Sequence, residues 1–379
     1  MEATMLRLSY SAYAYLRGHD PKKGRAAVRA ALDFFQVAGA ISWFAVSDDH
    51  TQFNFALAFV FLNRRDSTNE YSVVVRGTNP LSLESWFKED FAVGVQVPWP
   101  GGPTGAKISQ ATATALTVHE GLRDKGQTLF TYLAERLQAD AAAGVTSMVR
   151  FTGHSLGGLM ASVLALRFFE TVRPLAHLRI EVCSFAAPTA GNQAFATYTE
   201  ETFRDIGGHT FGVVRFIRCR DDVVVKVWNP RDMLGILRLY TAQGMPINLF
   251  LILVLGLVRW TVRHKGYTQP FADSDFGQTF RVPPLDVFAF DSFDAEDFLD
   301  GTLQGQFHRA KAIARRHTSQ RVFRNTVAWV VQAVVMHVVP YACHLLDERE
   351  QRYVAQTILR TILTHDTLFV ERRATPRTP

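Results

Sequence analysis

Cysteine is scarce in this sequence, with three residues in a chain of 379. Cys183, Cys219 and Cys343 are odd in number and have dissimilar surroundings, which argues against a disulfide framework and against a metal site. Cys183 and Cys219 fall in strand-like runs. We therefore expect buried free thiols there.

Apolar segments long enough to span a membrane are also lacking. The nearly continuous run at residues 245–258 has 14 residues, whereas a membrane-spanning helix needs about 20. Three interpretations stay open for it: a buried core helix, an interfacial lid or docking helix, or a membrane-inserted hairpin. The N-terminus has no basic region followed by a long apolar one, so we predict no secretory signal. This favours a cytoplasmic or membrane-associated protein, and export by another route stays open.

The charge pattern argues against nucleic acid as a partner. The formal net charge is +6, but no run of Lys and Arg is interleaved with aromatic residues. The surplus reflects either extra surface Arg or attraction to anionic lipid surfaces. The carboxylates of residues 286–300 do not match the spacing of a calcium loop, so we predict a solvated acidic face there and no metal site.

The sequence does contain Phe151-Thr-Gly-His-Ser-Leu-Gly-Gly158. The alternating residues 148–152 predict a short buried strand, and residues 159–170 have the apolar spacing of a helix. A G-x-S-x-G turn between a strand and a helix is the context of a nucleophile elbow, in which the serine is strained and its hydroxyl exposed. We therefore predict that Ser155 is a catalytic nucleophile.

The rest of the chain alternates predicted strands with predicted helices. Residues 1–45 are expected to form a helical preface, Leu129, Leu133 and Leu137 mark a helix, and strands are expected at residues 53–62, 71–75, 180–185 and 213–217. This order predicts one α/β domain over residues 1–370, with a mainly parallel central sheet and helices on both faces. A disordered tail is expected at 371–379.

Polar residues follow two of the predicted strands. The strand at 71–75 runs directly into Arg76-Gly-Thr78, which places Thr78 where ligands of open α/β sheets bind. Asp221 and Asp222 follow the strand at 213–217. They are the first acidic residues after the elbow that lie at the carboxyl end of a strand. A catalytic serine needs a histidine that is held by a carboxylate, and either residue could supply that carboxylate.

A Pro-rich stretch lies between these regions. Residues 95–103 have three prolines around one Trp. Such a segment is either a movable lid or a long surface loop.

Several local motifs, in this order along the chain, resemble the class 3 lipase family, which includes filamentous-fungal triacylglycerol lipases. They are Val75-Arg-Gly-Thr78 with Trp86 and Asp90 behind it, Val118-His-Glu-Gly121, Thr152-Gly-His-Ser-Leu-Gly-Gly158, Phe185-Ala-Ala-Pro-Thr-Ala-Gly-Asn192 and Asp222-Val-Val-Val225. The last is similar to the family's Asp-x-Val-Pro acid motif, with Val225 in place of Pro. The resemblance spans residues 50–226 well and the remainder loosely.

The resemblance implies an α/β-hydrolase fold with a Ser-Asp-His triad. Ser155 becomes the nucleophile and Asp222 the acid, with Asp221 as the fallback. The oxyanion hole is implied to consist of the backbone N–H groups of Thr78 and Leu156. The Thr78 hydroxyl could add a further donor.

The histidine of the triad is implied to be His337, because His337-Val-Val-Pro-Tyr341 is similar to the family's terminal His followed shortly by Tyr. The alternatives are His344, and then His308, His317 or His365. His264 is disfavoured, since Arg263-His-Lys-Gly-Tyr267 is similar to a non-catalytic family motif. The distance from Asp222 to His337 is about twice that expected for the family. This implies an apolar helical insertion near residues 230–262, whose role as a lid stays open.

Together these features predict a serine carboxylester hydrolase, first of all a triacylglycerol lipase that works through an acyl-enzyme. The expected partners are a lipid ester and a lipid–water interface or membrane surface, with no metal, no organic cofactor and no obligate protein partner. Phospholipase A and short-chain carboxylesterase are the alternatives among hydrolases. Outside enzymes, the alternative is a catalytically silent membrane-binding protein.

Overall fold

The computed structural model describes residues 1–15, 20–47, 56–65, 67–77, 93–172, 178–204, 211–241, 249–272, 277–281 and 321–354. Its strands are β1 (Ala40–Val46), β2 (Leu57–Arg65), β3 (Thr68–Val75), β4 (Gln96–Pro98), β5 (Lys107–Ser109), β6 (Arg123–Asp124), β7 (Gln127–Thr128), β8 (Thr146–His154), β9 (Leu178–Phe185), β10 (Phe211–Cys219) and β11 (Gly277–Phe280). Its α-helices are α1 (Glu2–Ser11), α2 (Pro21–Phe34), α3 (Gln110–Gly121), α4 (Leu129–Ala142), α5 (Leu156–Thr171), α6 (Gln193–Arg204), α7 (Met233–Ile236), α8 (Leu249–Val262), α9 (Arg321–Leu345) and α10 (Glu348–Tyr353).

Seven of these strands form one central sheet in the order β1-β2-β3-β8-β9-β10-β11. The pairs β1–β2 and β2–β3 are antiparallel, and every later pair is parallel. Helices connect the parallel strands, as crossovers between parallel strands require. The predicted mainly parallel sheet is confirmed. Strands β3, β8, β9, β10 and β11 run in one direction, so their carboxyl ends lie at the edge of the sheet where Ser155 follows β8.

Helices cover both faces of this sheet, because successive residues of a strand point to opposite sides. In β2, Leu57, Phe59 and Phe61 pack in a core shared with α1, α2 and α9. Ala58 and Val60 pack in a second core shared with α3, α4, α5 and α6. Burial on both faces explains why β3 ends in the continuous apolar run Val73-Val74-Val75.

The predicted helical preface is wrong over its last residues. Helix α2 ends at Phe34, and the chain then turns through Gln36 and Gly39, which have φ angles of 52° and 140°. Residues 40–46 follow as strand β1 on the edge of the sheet, paired with β2. The run Ala-Ile-Ser-Trp-Phe-Ala-Val is rich in β-branched and aromatic residues, which favour a half-buried strand over continued helix.

The Pro-rich stretch at 95–103 includes a short strand that the sequence did not predict. Strand β4 within it pairs with β5, so the segment is one arm of a hairpin. Trp99 is buried, and its indole N–H donates to Glu170 Oε1 at 2.7 Å. A buried Trp with a satisfied N–H fixes this hairpin on the helical layer.

The apolar run at 245–258 is described from residue 249 onward, as helix α8. Val258 and Val262 are buried in a third core, shared with Trp329 and Met336 of α9. The opposite face leaves Leu253 and its neighbours in solvent. The helix is thus partly core and partly apolar surface. In the described part of the chain, no helix combines the length and the apolarity needed to cross a membrane. The acidic residues 286–300 and the tail at 371–379 lie outside the described residues.

Candidate active site

Ser155 lies at the turn between strand β8, which ends at His154, and helix α5, which begins at Leu156. Its backbone has φ 62° and ψ −133°, a conformation that costs a non-glycine residue about 1–3 kcal/mol. The surrounding structure holds it there, since the Ser155 N–H donates to the Phe185 carbonyl at 2.9 Å. This is the strained geometry of a nucleophile elbow.

The glycines of the elbow are required by close backbone approach. A Cβ atom on Gly157 would lie 2.3 Å from the Val75 carbonyl oxygen, and one on Gly153 would lie 2.2 Å from the Gly157 carbonyl oxygen. Both separations are far inside van der Waals contact, so helix α5 can cross β3 and β8 this closely only with glycine at these positions.

Of the two predicted oxyanion donors, the structure describes Leu156. Leu156 is the first residue of α5, so its N–H has no acceptor within the helix and sits at the positive end of the helix dipole. Thr78 lies outside the described residues. The preceding residue, Gly77, is so close to the elbow that a Cβ on it would lie 2.4 Å from the His154 carbonyl oxygen and 3.1 Å from Ser155 Cβ.

The Asp222 carboxylate is completely buried just beyond the carboxyl end of β10. Its Oδ2 accepts the Tyr341 hydroxyl proton at 2.9 Å and lies 2.9 Å from His337 Nδ1. Its Oδ1 accepts the Val224 N–H at 2.8 Å. Three donors compensate the loss of water around this charge. A carboxylate accepts only, so Nδ1 of His337 carries the proton in this pair.

His337 is fully buried in helix α9. Its Nε2 atom makes no hydrogen bond within the part of the chain that the structure describes. Because Nδ1 carries the proton toward Asp222, Nε2 has an available lone pair. Buried polar atoms normally have hydrogen-bond partners, so an unpaired one needs an explanation. A role as the acceptor of a proton during a reaction would explain it.

The other acid considered in the sequence points away from this pair. Asp221 forms an ion pair with Arg281 at 2.9 Å, on the solvent side of the loop. Its backbone carbonyl accepts the Tyr240 hydroxyl at 3.2 Å. The structure thus brings Asp222 and His337 together and leaves Asp221 in a surface ion pair.

The other histidines considered for the triad are either exposed or outside the described residues. His344 is exposed and stacks on the Phe280 ring at a centroid distance of 4.2 Å. His264 is exposed in the turn after α8. His308, His317 and His365 lie outside the described residues. Among the described residues, no cluster of three or more His, Cys, Asp or Glu is arranged to hold a metal ion.

A polar shell behind the site was not anticipated from the sequence. His154 Nε2 lies 2.9 Å from the His337 carbonyl oxygen, and its Nδ1 lies 3.2 Å from the Tyr13 hydroxyl. The next carbonyl in α9, that of Val338, accepts the Tyr10 hydroxyl at 2.6 Å. Burial, and then the neighbouring His337, hold the pKa of His154 well below its ordinary value, so this imidazole is neutral and donates from Nε2. No sequence pattern connects Tyr10 and Tyr13 with a helix more than 300 residues away.

Comparison with known proteins identifies this architecture. The class 3 lipase family profile matches residues 72–231, a range that includes Ser155 and Asp222 and ends before His337. The crystal structure of M37 lipase is similar over 95% of each chain, with a TM-score of 0.68 and 23% identity, which shows the shared fold. Lipase II from Rhizopus niveus is similar over 61% of this chain and 75% of its own, with 19% identity and a TM-score of 0.43. The lipase from Rhizopus microsporus var. chinensis is similar over 60% and 67%, with 20% identity and a TM-score of 0.41. Residues 72–231 thus resemble the class 3 lipase family, and the chain shares the α/β-hydrolase fold of these enzymes.

Proposed function

We propose that this protein hydrolyses lipid esters, first of all triacylglycerols, with Ser155, His337 and Asp222 as nucleophile, base and acid. The observation that carries the proposal is the buried Asp222–His337 pair, whose Nε2 makes no hydrogen bond among the described residues. The ring of His154, next in the chain to Ser155, lies 4.6 Å from the His337 ring, so the pair adjoins the elbow.

The proposed reaction has two halves. In the first, His337 Nε2 takes the Ser155 hydroxyl proton as Oγ attacks the acyl carbonyl carbon, and Asp222 stabilises the resulting imidazolium. The tetrahedral intermediate collapses, the alcohol leaves with the proton from His337, and the acyl group remains on Oγ. In the second half, water gives a proton to His337 and attacks the acyl-enzyme. The fatty acid leaves, and the proton returns to Ser155.

The oxyanion of both intermediates is assigned to the backbone N–H groups of Leu156 and Thr78. The position of Leu156 at the start of α5 supports its part, since the helix dipole adds to the donor. The close approach of Gly77 to Ser155 supports the part of Thr78, the next residue in the chain. Loss of one such donor typically lowers turnover about 10²- to 10³-fold.

A lipid ester is preferred over a soluble ester because of the apolar surface on α8. Leu253, Leu257 and Trp260 are 63%, 57% and 60% exposed, which is unusual for side chains of this size in water. Phospholipase A activity is the second candidate. It is favoured by two exposed cations beside this apolar surface, Arg259 on α8 and Arg263 directly after the end of the helix.

The test compares an emulsified long-chain triacylglycerol with a soluble short-chain ester, each with wild type and Ser155→Ala. We expect hydrolysis that rises at the emulsion and that falls by at least 10³-fold in Ser155→Ala, because the nucleophile is removed. The rate is measured by titration of released fatty acid.

Three results would revise the proposal. Activity on the soluble ester alone would make the protein a carboxylesterase. Activity on phospholipid alone would make it a phospholipase. Equal rates in wild type and Ser155→Ala would refute the assignment of the nucleophile.

A further inference from the structure

Helix α8 carries an apolar surface that the fold leaves uncovered by any described residue. Leu253, Leu257 and Trp260 follow one another at spacings of four and three, so they share one face of the helix. Val258 and Val262 occupy the opposite, buried face. The outer face is therefore apolar without serving the core. An interaction is the usual reason for such a surface.

Two cations lie beside this surface. Arg259 is exposed on α8, and Arg263 is exposed directly after the end of the helix, with its guanidinium 5.0 Å from the centroid of the Trp260 ring. A Trp beside Arg, with Leu deeper on the same face, is the composition of helices that lie in the plane of a membrane interface. We name these five residues (Leu253, Leu257, Arg259, Trp260 and Arg263) the docking face.

The neighbouring segment is also basic in sequence. Arg259 Nε donates to the Pro230 carbonyl at 3.1 Å, which joins α8 to the chain around α7. That chain exposes Leu234, which is 60% accessible. Across residues 226–265 the cations are Lys226, Arg231, Arg238, Arg259, Arg263 and Lys265, and the one acidic residue is Asp232.

We propose that the docking face binds the surface of an anionic phospholipid bilayer, with Leu253, Leu257 and Trp260 in the acyl boundary and Arg259 and Arg263 at the phosphates. The excess of six cations over one anion selects this occupant. A second copy of the chain is disfavoured, since it would bring two basic surfaces together. The inference deepens the proposed function by naming the surface on which the enzyme works, and it rests on that function for its purpose.

The test measures binding in the Ser155→Ala background, so that no lipid is consumed. Vesicles of pure phosphatidylcholine are compared with vesicles that contain 30% phosphatidylglycerol, by co-sedimentation. We expect at least about 25-fold stronger partitioning to the anionic vesicles at about 0.1 M salt, from the two cations of the docking face alone. Most of this difference should be lost at about 1 M, where the Debye length falls to about 3 Å.

Two variants separate the charge from the apolar contribution. Arg259→Gln with Arg263→Gln should lower partitioning to anionic vesicles about 25-fold, at about fivefold for each cation near the surface, and should leave the weak binding to phosphatidylcholine as it is. Leu253→Gln with Leu257→Gln should lower binding to both kinds of vesicle. The matched control is Lys22→Gln with Lys23→Gln, which removes two exposed cations from α2 and should change neither.

Circular dichroism and thermal unfolding establish that each variant is folded. Equal partitioning to both kinds of vesicle, or equal losses for the Arg pair and the Lys pair, would overturn the proposal. Self-association through α8, seen by analytical ultracentrifugation and abolished by Leu253→Gln with Leu257→Gln, would also overturn it in favour of a second copy. Hydrolysis of neutral emulsions without preference for anionic vesicles would leave the proposed function standing and this inference refuted. Anionic binding without any hydrolysis would do the reverse.

Discussion

At the scale of single residues, two adjacent carboxylates have different surroundings. Asp222 is completely buried with three hydrogen-bond donors, one of them His337. Asp221 pairs with Arg281, whose side chain is 64% exposed. A buried acid fixes the orientation and charge of an imidazole, whereas a surface ion pair contributes at most about 1 kcal/mol to stability.

We therefore expect Asp222→Asn and Asp221→Asn to differ sharply. Asp222→Asn should lower kcat on a soluble ester about 10⁴-fold, because the amide no longer orients His337 or stabilises its charged form. Asp221→Asn is the matched control and should stay within threefold of wild type. Comparable losses in both variants would contradict the assignment of the acid.

The sequence indicated Ser155, Asp222 and His337 as candidates, because elbow and acid motifs are local and the chain order of the triad is restrictive. It did not indicate the environment of these side chains. Whether Asp221 or Asp222 contacts a histidine depends on the direction of each side chain after β10, which no spacing encodes. Tyr341 follows His337 by about one turn of α9, so both side chains lie on the same face of the helix and reach Asp222. The motif that contains Tyr341 does not by itself predict this hydrogen bond.

At the scale of elements, α1 supports the helix that carries His337. The Tyr10 hydroxyl donates to the Val338 carbonyl, and the Ser9 hydroxyl lies 3.0 Å from that of Thr152 in β8. Helix α1 thus contacts both β8, the strand before Ser155, and α9, the helix that carries the proposed base His337. Periodicity predicted a helix here, but contacts over such sequence separations lie beyond what periodicity reports.

We expect Tyr10→Phe to lower kcat on a soluble ester about tenfold while the protein stays folded, because the backbone next to His337 loses a fixed point. The matched control is Tyr71→Phe, which removes a buried hydrogen bond from the Tyr71 hydroxyl to Asp140. Tyr71 lies four residues before the end of β3, about 13 Å along the strand from the site. Each variant should lose about 1–2 kcal/mol of unfolding free energy in urea. Similar activity in the two variants at a temperature well below Tm would show that Tyr10 acts only on stability.

The element-scale errors share a cause. The local sequence predicts a helix through residue 45 and a lid or loop at residues 95–103. The structure instead gives each a strand partner, β2 for β1 and β5 for β4. Pairing in a sheet is a tertiary contact, so it overrides local propensity.

At the scale of the whole molecule, two buried imidazoles make stability depend on pH. Burial holds the pKa of His119 below its ordinary value, and burial together with His337 does so for His154. Each is neutral in the folded state and takes up a proton on unfolding once the pH is below the unfolded value of about 6.5. Stability is therefore full above that pH and falls as the pH drops toward the lowered folded values.

We expect the unfolding free energy to fall between pH 7.5 and 5.5, approaching about 1.4 kcal/mol per pH unit for each histidine below about pH 6. Urea unfolding at several pH values measures the slope. His119→Gln should remove about half of it. The control His264→Gln changes an exposed imidazole and should keep the wild-type slope. A flat profile over this range in wild type would contradict the burial argument.

The two ends of the described chain meet behind the site. Arg7 forms a two-pronged hydrogen bond with Glu350 at 2.7 and 3.0 Å, and α1 packs beside α9 in the core on one face of the sheet. These contacts support our proposal that residues 1–370 form one domain. The class 3 lipase match stops at residue 231, before helix α9, which carries the proposed base His337.

Helix α9 therefore has a consequence for biosynthesis. A ribosome makes the elbow and its serine well before it makes His337, and the tunnel then delays α9 further. Until α9 has emerged and packed against α1, the nascent polypeptide holds a strained serine with no base beside it. On the proposed function, hydrolytic competence would arrive only when α9 has packed, so a translation product truncated before α9 would lack the proposed base and would not hydrolyse esters.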